Sequence, residues 1–194
     1  MNKFWLFIAA SIFTIFVFCV WIILFRLYPI ALIDWKIISA KDFNKDYSAA
    51  LTYYKNALEL SGGDSKVLEA DETGKEIKRA LLENFIENVL IDEELKKDLS
   101  SDELGGLVDR KIGEIIKDEE IQKAAETLYG FSFSDFKERV LAPQAKKEIL
   151  ESRLFLYSGG NGDFGKKLEE IKSKARVMIF LPDFEWNGKE VIIK

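Results

Sequence analysis

The chain of 194 residues contains no histidine and a single cysteine, Cys19. Without histidine it lacks the commonest general base, the side chain that ordinarily titrates near neutral pH, and the commonest metal ligand. Cys19 lies in an apolar run, so the rest of the chain has neither a disulfide nor a thiol nucleophile. Serine–histidine–aspartate, cysteine–histidine and zinc chemistry are excluded together. A disulfide-free domain outside the cell is ordinary when its core is large enough. No block of lysine and arginine interleaves with aromatics, which argues against nucleic acid as a partner.

Charge is absent altogether from residues 4–25, between Lys3 and Arg26. A helix of that length spans about 33 Å, enough for a hydrocarbon core of roughly 30 Å. Most of these residues are Leu, Ile, Phe or Val, each favouring insertion by about 0.3–0.6 kcal/mol at the helix centre. A cleavable signal has a shorter apolar stretch and a small-x-small site, whereas Phe25, Leu27 and Tyr28 are bulky. Val17, Phe18, Val20 and Trp21 around Cys19 are likewise too large for a lipobox, and a buried core helix is rarely so free of charge. Residues 1–28 are therefore expected to be a retained single-pass membrane anchor. Trp5, Trp21 and Tyr28 sit near its ends, where interfacial aromatics belong. Lys3 and the amino terminus on one side balance Arg26 and Lys36 on the other. The short head favours a cytoplasmic amino terminus, with residues 29–194 outside.

The 168 residues after Arg26 hold all 33 acidic residues and 26 of the 28 basic ones, a net charge of −7. That length suits one domain with a proper core. Residues 30–33 read as a short edge strand. Ser39, with Asp42 three residues on, caps a helix whose apolar positions run from Phe43 to Leu58. Residues 64–73 read as a linker, and Gly74 opens a second helix carrying Ile77, Leu81, Phe85, Ile86, Val89, Leu90 and Leu95. Ser100 or Ser101 caps a third, weakened by Gly105, Gly106 and Gly113. A fourth covers residues 118–129 and ends at Gly130. Ser134 caps a fifth over residues 135–156, which Pro143 is expected to kink or split. Residues 158–162 form a glycine-rich loop, and Asp163 caps a last helix. A strand over residues 176–181 and a closing strand over 190–194 complete the chain. The expected fold is mainly α, with a small β element at the carboxyl end.

No motif in this pattern carries chemistry on its own. Residues 46–60 look locally like one helix of a tetratricopeptide repeat, but no second copy follows, and such solenoids need about three. The acidic pairs Glu93–Glu94, Asp118–Glu119–Glu120 and Glu169–Glu170 are sequence neighbours, about 100° apart on a helix, and do not share a site. Gly159–Gly160–Asn161–Gly162 lacks the following Lys-Ser/Thr of a phosphate cradle, which leaves it as a flexible connection. Catalytic, metal-binding and cofactor-binding residues are accordingly expected to be none. The surplus of aromatics, with Phe131, Phe133 and Phe136 clustered and Tyr53 beside Tyr54, exceeds what one core face accommodates. Part of it suits an apolar groove for extended peptides, with the individual peptide-binding residues left open.

Three stretches then carry a family resemblance: residues 31–43 (ALIDWKIISAKDF), 77–95 (IKRALLENFIENVLIDEEL) and 128–154. Their order resembles the amino-terminal SurA-like domain of membrane-anchored parvulin-type foldases and periplasmic chaperones. Residues 166–181 (KKLEEIKSKARVMIFL) look like that family's returning helix and strand. Where the isomerase domain is inserted in that family, this chain has only residues 158–163. Parvulin sites also use histidines, which are missing here. The resemblance therefore implies chaperone-like binding of unfolded or extended polypeptide outside the cytoplasm, without prolyl isomerisation and without cofactor. The rival expectation is a structural or adaptor protein docking one fixed membrane-protein partner. An enzyme using only carboxylates and lysine ranks behind both.

Overall fold

The computed structural model describes residues 12–14, 17, 26–116 and 119–194, with backbone only at 119 and 120. The anchor expected over residues 4–25 thus lies outside the described residues, apart from Ile12, Phe13, Thr14 and Val17, which are helical. Among the described residues no helix is long and apolar enough to cross a membrane.

Strand β1 (Pro29–Ile33) opens the domain and turns at Asp34 and Trp35 into β2 (Lys36–Ser39). Asp34 adopts a positive φ of 50°, as a tight two-residue hairpin turn requires. The expected edge strand is in fact central: the sheet order is β2–β1–β3, with β3 at Val177–Ile179 and both pairings antiparallel. Ile30, Ala31 and Ile33 are all buried, which is why this short run is almost wholly apolar. A separate hairpin pairs β4 (Phe184–Trp186) with β5 (Val191–Ile193).

Helix α1 (Ala40–Leu60) starts where the sequence indicates: the Asp42 N–H donates to Ser39 Oγ at 3.1 Å. Helix α2 (Asp71–Leu95) starts earlier than Gly74 suggests, and a 3-10 turn (Ser65–Glu69) occupies the expected linker. Asp71 and Glu72 favour that earlier start by facing the positive end of the helix dipole. Gly74 falls inside the first turn, where a Cβ would come within 3.3 Å of the Tyr47 hydroxyl.

Helix α3 (Ser101–Ile115) is intact despite its glycines. Ser100 and Glu103 form a complete capping box, and Leu104, Val108 and Ile112 are buried along one stripe. A Cβ added at Gly106 or Gly113 would meet no other atom within 4 Å. Gly106→Ala is therefore expected to raise stability by about 0.5–1 kcal/mol, read as a higher thermal unfolding midpoint.

Helix α4 (Glu119–Tyr129) ends at Gly130, whose φ of 66° suits a C′ glycine. Ser132, not Ser134, caps the next element by accepting the Asp135 N–H, so α5 (Phe133–Phe136) begins at Phe133. Pro143 does not split the helix that follows. A π turn (Lys137–Leu141) widens the spiral just ahead of it, and the Ala142 N–H reaches the Lys137 carbonyl. The wider turn relieves the clash between a proline ring and the carbonyl four residues back. Helix α6 (Ala142–Tyr157) continues beyond. In the exposed glycine loop after it, Gly162 lies against the end of α6, since a Cβ there would lie 2.5 Å from the Leu154 carbonyl oxygen. Asp163 caps α7 (Phe164–Lys174) as expected.

These elements surround two apolar cores. The first joins Ile91 and Leu95 of α2 to Leu104, Val108 and Ile112 of α3 and to Ile149 and Leu150 of α6. The second joins the inner face of the sheet to Phe43, Leu82, Ile86, Leu90, Phe184 and Val191. Helix α2 serves both and is the spine of the domain. The mainly helical architecture with a small β element at the carboxyl end stands, extended by the strand pair β1–β2 at the start.

Candidate functional site

A groove runs along the seam between the two cores. It comprises two adjoining cavities of about 490 and 390 Å³ that share Asp46, Leu81, Asn84, Asn88, Arg139 and Pro143. Its floor is one stripe of α2: Ile77, Leu81, Asn84, Asn88 and Ile91 recur at three and four residues and so lie on a single helix face. One wall is α1, presenting Asp46, Ala50 and Tyr54. The opposite wall is the π turn and the start of α6, presenting Arg139, Val140, Pro143 and Gln144. At one end Phe85, Val89 and the outer edge of β2 close the surface.

That edge is chemically open. The hairpin closes on Ile33 and Lys36, and the Ala40 N–H donates to the Tyr28 carbonyl at 2.9 Å. Even-numbered residues of β2 therefore turn their N–H and C=O groups toward β1. Ile37 turns its N–H and C=O the other way, along the rim of the groove, while its side chain stands on the outer face of the sheet. An unpaired sheet edge of this kind is a template for another extended segment. The floor supplies matching amides: Asn88 Nδ2 donates to Asn84 Oδ1 at 2.7 Å, leaving the Asn84 NH₂ and the Asn88 carbonyl for other partners.

The walls are tied to one another by ion pairs. Arg139 Nη1 donates to Asp46 at 2.7 Å and Nη2 to Asp42 at 2.9 Å, tying the π turn to α1. Burial pushes the Asp46 carboxyl up, and the contact with Arg139 offsets this only in part. Burial acts on Asp42 in the same direction, but hydrogen bonds from Ser39 and Arg139 outweigh it and hold that carboxyl below its ordinary range. At the closed end Lys146 Nζ donates to Asp92 at 2.6 Å. These charges are paired with one another, whereas Lys36, Glu138 and Lys147 line the groove without an ion pair among the described residues, beside a floor that is apolar and amide in character.

The residues singled out in the sequence are scattered by the fold. Tyr54 faces the groove, whereas Tyr53 stacks on Tyr129 with ring centroids 4.9 Å apart. Phe131 and Phe136 are buried in the first core, and Phe133 is half-buried. Glu94 pairs with Lys167 at 2.8 Å and Glu170 with Lys174, beside a separate cavity of about 200 Å³ between α2 and α7 that also includes Glu93. Asp118 and the side chains of Glu119 and Glu120 lie outside the described residues. Among the described residues no group of three or more acidic or cysteine side chains is placed to hold a metal ion. Asn84, Asn88 and Arg139 were not singled out from the sequence. The available signal was two amides, four residues apart, on an otherwise apolar stripe of α2.

Charge pairing of this kind has a pH signature. Asp92 and Glu94 are each pushed up by burial but lowered overall by lysines, Lys146 and Lys96 for the first and Lys167 and Lys97 for the second. Glu148 is lowered by its hydrogen bond from Lys111. A carboxyl lowered in the folded state contributes stability that is present above its unfolded value and is lost as pH falls through the folded one. Asp46 has the opposite sign, losing its contribution as pH rises from the ordinary value through the raised one, and so offsets part of the acid loss. With no histidine, the chain lacks the side chain that ordinarily titrates between about pH 5.5 and 8.5. The urea midpoint is therefore expected to be flat across that window and to fall below about pH 4.

Comparison with protein-family models, with characterised proteins and with solved structures returned no match.

Proposed function

We propose that this chain is a membrane-anchored, non-catalytic domain that holds unfolded or extended polypeptide segments in the groove between its two cores. The observation that carries the reading is the pairing of an open β edge at Ile37 with an apolar and amide floor on α2. An extended segment entering there adds a strand to β2, which satisfies backbone groups irrespective of client sequence. Its alternate side chains rest on Leu81, Phe85, Val89 and Pro143. Burial of client apolar surface drives the association, with no nucleotide and no covalent step.

The charge-free run of residues 4–25 supports a location at a membrane, and the short head ahead of it favours a domain outside the cytoplasm. The order of sequence stretches that resembles the SurA-like chaperone domain supports the same reading, and by that resemblance residues 158–163 correspond to the family's point of isomerase insertion. The test is aggregation suppression: the full chain is expected to hold an unrelated denatured protein in solution at near-stoichiometric ratio. Inertness in that assay, with one partner recovered by crosslinking, favours the adaptor reading and overturns this one.

A further inference from the structure

The outer face of the three-stranded sheet is apolar, and none of the described elements packs over it. Ile37, Leu32 and Met178 stand opposite one another across β2, β1 and β3, so their side chains form one row on one face. Ile37 is 64% exposed and Met178 53%. Phe180 extends the patch at 53%, and Trp35 projects from the hairpin tip at 88%. An apolar row of this extent on a sheet's solvent side marks an interaction surface, since antiparallel sheets ordinarily alternate apolar-in and polar-out.

Two features of the same face indicate what covers it. The first is where the chain comes from: only Arg26, Leu27 and Tyr28 separate the charge-free run from Pro29, the first residue of the central strand. A three-residue connection spans at most about 10 Å, so this sheet is the part of the domain held against the anchor's point of exit. The second is charge. Arg26 and Lys41 lie at one end of the sheet, joined by a backbone hydrogen bond of 2.9 Å, and Lys36 and Arg176 lie at the other. None of these four cations forms an ion pair among the described residues, although the 168 residues after Arg26 carry a net charge of −7. An apolar face carrying Met178 and Phe180, with Trp35 at its tip and cations at both ends, has the chemistry of a headgroup–acyl boundary.

We infer that the outer face of the β2–β1–β3 sheet lies in the bilayer interface beside the anchor, so that the domain rests on the membrane in a fixed orientation and does not swing on a tether. The inference depends on the anchor reading of residues 4–25. Contact with anionic lipid engages the cations, and the apolar row enters the boundary layer to a depth of about 5–10 Å. The groove then opens along the rim of the membrane-bound sheet, at Ile37, where a segment leaving the bilayer first meets the domain.

The test uses the full chain with Cys19→Ser, reconstituted into vesicles of mixed zwitterionic and anionic phospholipid. An environment-sensitive fluorophore is attached through Met178→Cys in one preparation and through Leu60→Cys in another. Leu60 is also exposed, but it ends α1 about 30 Å from the sheet. The label at 178 is expected to shift to the blue and to lose most of its intensity to brominated acyl chains, while the label at 60 does neither. A chain that resists alkaline extraction while label 178 stays in water overturns the inference and leaves the anchor standing. A chain stripped from the vesicles overturns the anchor and the inference with it. A blue shift that grows with the protein-to-lipid ratio means that a second copy covers the face, and also overturns it.

Discussion

Ile37→Pro is expected to leave the domain folded and to weaken binding of an extended client by roughly 10- to 100-fold. Proline in a sheet normally removes a ladder hydrogen bond, but the Ile37 N–H points away from β1 and takes no part in the ladder. The residue before it, Lys36, is already extended, as a position preceding proline must be. The folded state therefore tolerates the ring. A client strand does not, because it loses the Ile37 N–H and meets the ring in its place. Ile37→Thr is the control: it keeps the N–H and the strand propensity, changes only a side chain on the outer face, and is expected to bind normally. Isothermal titration with an unstructured peptide, alongside circular dichroism, separates the two. Equal loss in both variants, or unfolding of the proline variant alone, contradicts the assignment of the edge.

Glu83→Ala is expected to destabilise the domain by about 2–3 kcal/mol, the largest effect of any polar substitution. Glu83 joins three elements with two oxygens: one accepts from Lys172 of α7, the other from the Val191 N–H of β5 at 2.6 Å. Lys172 also pairs with Glu87 at 2.6 Å. Lys172 is 12% exposed and Glu83 17%, so water replaces little of what is lost. Burial alone would lower the Lys172 value, but hydrogen bonds to Glu83 and Glu87 outweigh it and hold the ammonium above its ordinary range. A raised lysine contributes stability that is fully present below its unfolded value and is lost as pH rises through the folded one, here above about pH 10.5. The alanine variant leaves the Val191 amide without its acceptor and Lys172 with one carboxylate. Glu83→Gln keeps an acceptor for Val191 and is expected to lose roughly half as much. Urea unfolding of the three proteins at neutral pH measures both differences, and equal losses for Ala and Gln would show that the amide contact contributes nothing.

Helix starts with a polar cap were readable because the cap is local chemistry: Ser39, Ser100 and Asp163 stand where the sequence places them. Errors arose where tertiary contact overrides local preference. Gly74 reads as a boundary but fits a close approach to Tyr47 inside α2. Pro143 reads as a break, yet the π turn ahead of it absorbs the ring. Strand β2 was hidden because its hairpin turns at Asp34 and Trp35, a pair without the Asn-Gly signal, and its partner was not yet known. The groove was not legible at all. Its edge comes from residue 37, its floor from residues 77–91 and its far wall from residues 139–144, and no sequence window contains two of these. Only the aromatic surplus hinted at a surface to be covered, and it divides: Phe131 and Phe136 are core, whereas Tyr53 and Tyr54 are exposed.

The central claim is that an extended segment adds to the free edge of β2. Amide hydrogen exchange at Ile37, followed by NMR on the full chain in lipid nanodiscs with and without an unstructured peptide, addresses it at a single atom. The unbound chain is expected to exchange quickly there, because that N–H has no partner across the sheet. Added peptide is expected to protect it strongly while leaving the amide of Leu60, at the far end of α1, unchanged. Saturable peptide binding with the Ile37 amide still exchanging at its free rate would contradict the account.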